Sequence, residues 1–416
     1  YMPIIYLILL ILPAVLIFAV PLRWKVWTAV GIVGTVAVAV CAAAIGVLVE
    51  GTTLTLWQGE SVAFGVETIT MDRLSALFSV IISLAAVATT IYSRGYLAHY
   101  LDQKTSTHFS LHYASLVALY VSMIGVVTAA GGFCFLFCWE AMTIASFLLI
   151  IFDADKRKTV RAALSYLVMM HIGFAALLAG FALLYARTGE ATFAALGDYM
   201  SAYAPLPLFA LFVVGFGMKA GMFPMHGWLP TAHPVAPAPA SAVLSGVITK
   251  SGVLGIIRVL YYVVGFEYVI GTWVQTVALI LSLLTVFMGS MMAFREKIFK
   301  KRLAYSTVSQ VSYVLFGLFI MNETAMRGAL LHIVFHSVIK NLLFLTAGAI
   351  IFYTGLTNVD EYDEMGKKMP GVMVCFMLCS LGLVGIPPLS GFVSKWYLAT
   401  GAYGSGIGVF SWLGPI

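Results

Sequence analysis

The stretch LHIVFHSVIK sets His332, His336 and Lys340 at i, i+4 and i+8. On a helix these side chains share one face and extend over about 12 Å of the axis. Imidazole titrates near neutrality, so two imidazoles and an amine in line form a path along which a proton can be passed. Four lysines in all, Lys219, Lys250, Lys340 and Lys395, fall near the middle of apolar runs, and Glu140 lies deep in FCFLFCWEAMTIASF. A charge at mid-membrane costs several kcal/mol and marks a functional position by default. Arg258 stands towards the end of its run, where it can snorkel to an interface. His171 is a weaker candidate, and His226 and His233 read as structural loop or helix-end residues.

The elements that must hold these groups follow from composition. Of 416 residues, 62% are hydrophobic and 10% charged, and the mean hydropathy is +1.01. Soluble domains carry roughly 25% charged residues, so a soluble enzyme, a disordered chain and a nucleic-acid binder are excluded. A bilayer core of about 30 Å takes roughly 20 apolar residues per helix. The chain reads as an all-α polytopic membrane protein with about twelve transmembrane helices, at 3–20, 27–49, 71–93, 111–129, 131–152, 160–186, 206–229, 240–263, 271–293, 303–321, 328–354 and 370–400. The runs lack the strand-period alternation of a barrel. The five cysteines all lie in apolar runs without a CxxC, and no metal or cofactor motif is present.

Basic residues orient the spans. One set of alternate loops carries fifteen Lys and Arg residues, from Arg23 to Lys368; the other carries only Arg73, Arg187 and Arg327. The positive-inside rule then places the N-terminus outside.

Two spans read as broken. The seventh has Gly217 and Gly221 around Lys219, with Pro224 following; the twelfth has Pro387 and Pro388 ahead of Lys395. Irregular backbone at that depth is tolerated only against protein or a hydrated cavity. Spans 7 and 12 cross in opposite senses, the pattern of an inverted repeat with a discontinuous helix in each half. Burial disfavours a charged amine and a nearby carboxylate restores it. A Glu140–Lys219 pair that opens and closes would therefore switch the lysine between holding and releasing a proton. From there the path would run through Lys250, His332, His336 and Lys340 to Lys395. A half-helix starting after Pro388 would aim its amide groups at the cavity and favour proton release from Lys395.

The segments KAGMFPMHGWLPTAHPVAPAPASAVLSGVITKSGVLGIIR, KRLAYSTVSQVSY, LHIVFHSVIKNLLFLTAGAI and GIPPLSGFVSKWYL resemble the antiporter-like, proton-translocating subunits of respiratory complex I. They equally resemble the related subunits of Mrp-type sodium/proton antiporters, membrane-bound nickel–iron hydrogenases and formate hydrogenlyases. The resemblance runs from about residue 70 to the end. It implies that Glu140 is the helix-5 glutamate, Lys219 its helix-7 partner and Lys250 the central helix-8 residue. It likewise implies that His332, His336 and Lys340 are the helix-11 set and Lys395 the exit-side lysine. The family implies fourteen core helices with two inverted five-helix repeats, covering helices 4–8 and 9–13, so this chain is expected to continue past Ile416. The helix-6 stretch SYLVMMHIGFAALL lacks the acid that some members carry.

On this reading residues 1–110 hold helices 1–3, 111–263 the first repeat and 264–416 a truncated second one. The expected function is ion translocation, of protons first, as a subunit of a complex I-like or hydrogenase-type oxidoreductase in a bacterial or archaeal plasma membrane. The alternatives are a subunit of a Mrp-type Na+/H+ antiporter or related cation or bicarbonate transporter, and a non-conducting structural subunit. Expected partners are other membrane subunits, further antiporter-like subunits among them, the lipid bilayer, and H+ or Na+. No cofactor is expected in this chain, and any redox chemistry belongs to partner subunits.

Overall fold

A computed structural model describes residues 2–61 and 65–414. The chain divides into two compact units, Tyr1–Gly215 with Val235–Val243, and Phe216–Pro234 with Leu244–Ile416.

The first unit opens with helices α1 (Met2–Ala19) and α2 (Leu22–Glu50), and an antiparallel hairpin of β1 (Leu54–Ser61) and β2 (Gly65–Met71). Then follow α3 (Arg73–Leu97), α4 (Ser106–Thr128), α5 (Gly132–Ile150), α6 (Arg157–Thr188) and the short α7 (Phe193–Tyr203). The polar side chain ahead of a helix often sets where it starts. Asp72 accepts from Ser75 N at 2.7 Å to cap α3, and Thr192 caps α7 through Ala195 N at 3.0 Å. The hairpin is tied to α5 by Glu67, whose carboxylate accepts from Phe133 N and Cys134 N, each at 3.2 Å. At the opposite end of the helices, Lys104 pairs with Asp155 and, at 2.9 Å, with Asp153. The Asp155 and Asp153 carboxylates hold the Lys104 ammonium above its ordinary range.

Helix α8 (Leu206–Ala220) carries the chain into the second unit, which contains α9 (Trp228–Val235) up to Pro234. Helix α10 (Ala238–Val243) continues through a π-turn at Leu244–Ile248 into α11 (Thr249–Ile257) and a second π-turn, Arg258–Val264. The remaining elements are α12 (Trp273–Arg295), α13 (Phe299–Ile320), α14 (Glu323–Thr354), α15 (Met365–Lys368), α16 (Pro370–Val384), α17 (Ser390–Tyr403) and α18 (Phe410–Leu413). Small residues let α14 and α17 approach closely. A Cβ on Gly401 would stand 2.5 Å from Ala325 N, and one on Gly328 would stand 2.7 Å from Leu398 N.

The expected count of spans is corrected. Among the described residues nine helices, not about twelve, are long and apolar enough to cross a membrane; α8 (Leu206–Ala220) and α16 (Pro370–Val384) are shorter apolar helices. Fifteen residues at 1.5 Å each reach only about 22 Å, short of the hydrocarbon core. The expected spans 7 and 12 shorten because backbone turns end them. Helix α8 stops before Gly221, whose φ of +78° is left-handed, and α16 stops before Gly385, at +90°. A substituent on Gly221 would also strike Leu229 Cδ1 at 2.3 Å. The inverted-repeat reading rested on the count of twelve and loses that footing. The chain is also not purely helical, since the hairpin lies between α2 and α3.

Candidate functional site

In the first unit the carboxylate of Glu140, on α5, lies 3.1 Å from His171 Nε2, on α6. The other ring nitrogen, Nδ1, is 2.8 Å from the Leu167 carbonyl one turn earlier. A carbonyl can only accept, so Nδ1 carries hydrogen. The Glu140 side chain is 21% exposed and that of His171 50%. Glu140 also borders an apolar cavity of about 410 Å³ that Ala14, Leu111, Phe137 and Ile144 help to line. His171, weak in the sequence, is thus the group the structure sets against this carboxylate.

The second unit gathers the basic groups. Lys219 lies buried in the last turn of α8, where the carbonyl end of a helix favours a cation. The turn beyond it is pinned twice. Trp228 Nε1 donates to the Met218 carbonyl at 3.0 Å, and Phe223 N to Thr285 Oγ1 at 3.0 Å. Gly217 packs one turn before the end of α8, a Cβ there meeting Met222 Cε at 3.1 Å. Pro224 follows a cis peptide bond in the turn itself, and His226 stacks on Phe223.

Lys250 is buried on α11 and donates to the Ser245 carbonyl at 2.5 Å. That carbonyl belongs to the π-turn and also accepts from Thr249 Oγ1 at 3.0 Å. On α14, His332 sits between two neighbours: Nδ1 is 2.9 Å from Ser394 Oγ, on α17, and Nε2 is 3.1 Å from Gln310 Oε1, on α13. Its ring stacks on that of His336, with centroids 5.8 Å apart. The nitrogens of His336 are buried and have no hydrogen-bond partner among the described residues. Lys250, Lys340, His332 and Lys395 all lie within electrostatic range of His336. Lys340 donates to the Leu303 carbonyl at 3.0 Å and to Ser306 Oγ. Lys395 donates to the carbonyls of Leu383, at 2.9 Å, and Val384, at 3.1 Å, and lies over the Tyr313 ring.

Pro387 and Pro388 stand between α16 and α17, and the ammonium of Lys395 reaches back to the carbonyl end of α16. Arg258 begins the second π-turn and is partly buried.

Several members of this cluster were not singled out in the sequence. Gln310, Ser394 and Ser306 are ordinary helix polar residues until the tertiary fold turns them to His332 and Lys340. Lys300 counts as a loop charge in the sequence, yet it is buried in the first turn of α13. Together with Lys250 and Lys340 it lies within electrostatic range of His233, which stacks on Phe344 at 4.7 Å.

Buried bases within long apolar helices are the marks of a multi-pass membrane protein. The chain belongs to the NADH:quinone oxidoreductase/Mrp antiporter transmembrane family, whose model matches residues 132–415. It is therefore an ion-translocating membrane subunit of the Mrp and complex I-like class. It is 32% identical over 387 residues to NADH-quinone oxidoreductase subunit N of Desulforudis audaxviator, a match covering 89% of this chain and 76% of that protein. It is 31% identical to Hydrogenase-4 component B of Escherichia coli, over 79% of this chain and 50% of that protein. Thus it spans about half the length of the second relative. A chain in the structure of the Mrp complex from Dietzia sp. DQ12-45-1b has the same fold. The TM-score is 0.84 at 23% identity, covering 99% of this chain and 76% of that one.

Proposed function

We propose that this chain is the proton-conducting membrane subunit of a multi-subunit energy-converting oxidoreductase of the complex I or hydrogenase kind. The observation that carries the reading is a set of buried bases, Lys250 on α11 and His332, His336 and Lys340 on α14, with the half-buried Lys395 of α17 within electrostatic range of His336. Each amine is held by oxygen acceptors, which support the charged form without fixing it as a carboxylate would. The stacked imidazoles of His332 and His336 lie on the same helix as Lys340. Short gaps between groups with alternating hold on a proton, filled by water, are what stepwise transfer requires.

In this scheme Glu140 and His171 share a proton in the first unit, Lys219 acts as the switched lysine, and Lys250 hands the proton on. His332, His336 and Lys340 relay it to Lys395, the exit group. The basic loops face the cytoplasm of a bacterium or archaeon and the N-terminus lies outside. Other membrane subunits, including further antiporter-like ones, flank the chain. A second reading, part of a Mrp-type antiporter exchanging Na+ and H+, rests on the breadth of the family that matches.

Affinity purification of the tagged native protein separates the two. Iron–sulfur or nickel–iron subunits among the co-purifying chains support the first reading, and small membrane proteins alone support the second. Proton uptake by vesicles containing the purified complex then tests conduction itself. Uptake unchanged by His336→Ala and Lys250→Ala together would overturn the relay.

A further inference from the structure

One cavity, on the basic end of the first unit, takes no part in the proton path. It has a volume of about 630 Å³ and lies where the α1–α2 turn meets the C-terminal end of α3 and the N-terminal end of α4. Its rim carries two guanidinium groups, Arg23 and Arg94, and the indole of Trp27; its walls include Val26, Leu97 and Phe109. The walls are buried, whereas Arg23, Arg94 and Trp27 are exposed.

The Arg94 guanidinium lies over the Trp27 ring, Cζ 4.8 Å from the centroid. Stacking uses the face of the guanidinium and leaves the N–H groups along its edge available to an acceptor. Among the described residues no carboxylate pairs with Arg23 or Arg94. Lys104, at the same end, instead has Asp153 and Asp155. Two unpaired cations over an apolar cavity, at the level where tryptophan marks the membrane interface, call for a ligand with an anionic head and an apolar body.

We infer that this cavity is a binding site for an anionic phospholipid, its phosphate held by Arg23 and Arg94 and its upper acyl chain lying along Val26, Leu97 and Phe109. Basic pockets between transmembrane helices on the inner side are suited to such headgroups. A free phosphate would meet the same two arginines but would leave the apolar wall unused. The site serves retention of a lipid at the α1–α2 turn and is independent of the proton path.

Native mass spectrometry of the full-length chain in detergent tests this, with added phosphatidylglycerol, phosphatidylcholine or inorganic phosphate. Phosphatidylglycerol should be retained in preference to phosphatidylcholine. The double variant Arg23→Gln/Arg94→Gln should lower that retention about tenfold, while Arg157→Gln/Lys158→Gln, equal in charge and also exposed, should leave it unchanged. Equal loss in both double variants would show general surface charge and overturn the site. Inorganic phosphate displacing the lipid at micromolar concentration would show an anion site and overturn the lipid assignment. As a check free of variants, a photoactivatable phosphatidylglycerol should cross-link within 21–27 or 94–113. Cross-links confined to other segments would also refute the proposal.

Discussion

His171 Nε2 and Glu140 Oε1 lie 3.1 Å apart, and the other nitrogen of the same ring, Nδ1, lies 2.8 Å from the Leu167 carbonyl. On the proposed reading, this contact between α5 and α6 is where the two side chains exchange a proton.

Glu140→Gln should abolish proton uptake by vesicles containing the native complex, since an amide cannot take part in the exchange. His171→Gln keeps a polar group near the carboxylate but no second site for the proton, and uptake should fall roughly tenfold or more. Uptake at the normal rate in His171→Gln would remove this residue from the path and leave it a helix-face neighbour.

Lys395 caps the end of α16. Replacing it by alanine should cost about 0.3–1 kcal/mol, the usual worth of a cation at a helix C-terminus, and should stop pumping. Lys395→Arg should keep the cap and still not pump, because a guanidinium does not give up its proton in proteins. Thermal unfolding and vesicle acidification read the two effects separately. Normal pumping by the arginine variant would show that the residue supplies charge alone.

Glu67 is the clearest pH-sensitive group outside the spans. Burial raises its carboxyl above the ordinary value, outweighing the two backbone donors, Cys134 N and Phe133 N. The folded state thus favours the protonated form. Attachment of the hairpin should be strongest below the carboxyl's ordinary value of 4.5 and weaken as pH rises through the raised one. Glu67→Gln should flatten this dependence and match or exceed the native protein at pH 7. Glu67→Ala should lose the cap, at a cost of about 1 kcal/mol. Hydrogen exchange of the hairpin at pH 4 and pH 7 reads this out, and an unchanged pH slope in the glutamine variant would refute it.

Gly401 admits no side chain. A methyl there would press on the backbone of Ala325 at 2.5 Å, so Gly401→Ala should destabilise the α14–α17 contact by about 1–3 kcal/mol. His332 would lose its Ser394 contact as the helices part. A melting temperature within a degree of the native one would show that the helices separate freely.

The chemistry-bearing residues were legible because a charge in an apolar run has no bland explanation, and Lys250, His332, His336 and Lys340 stand out on that ground alone. What surrounds them was not. Gln310 and Ser394 become ligands of His332 only through packing between helices distant in sequence. Lys300 looks like one more loop charge in the sequence because it stands among Lys297, Lys301 and Arg302, of which Lys297 is exposed and the other two half-buried. The hairpin segments TLTLWQ and VETITM alternate with a strand period around Gly65, a short signal that the long apolar runs on either side outweigh. Spans 7 and 12 were drawn too long because hydropathy continues through Gly221 and Gly385 while the helix does not. The same prolines that marked a break near Lys395 gave no hint that its ammonium would turn back to the helix before them.

The π-turn at Leu244–Ile248 sets the angular address of Lys250. A wide turn holds one residue more than a regular one, so everything beyond it is rotated by about 100° from where an unbroken α-helix would put it. Removing a single residue between Leu244 and Ile248 would leave a good apolar helix of nearly the same length. Its lysine, however, would point to a different neighbour, without the Ser245 carbonyl to receive it. Such a deletion would turn Lys250 and, further on, Arg258 away from their present neighbours while leaving the chemistry of every remaining side chain in place.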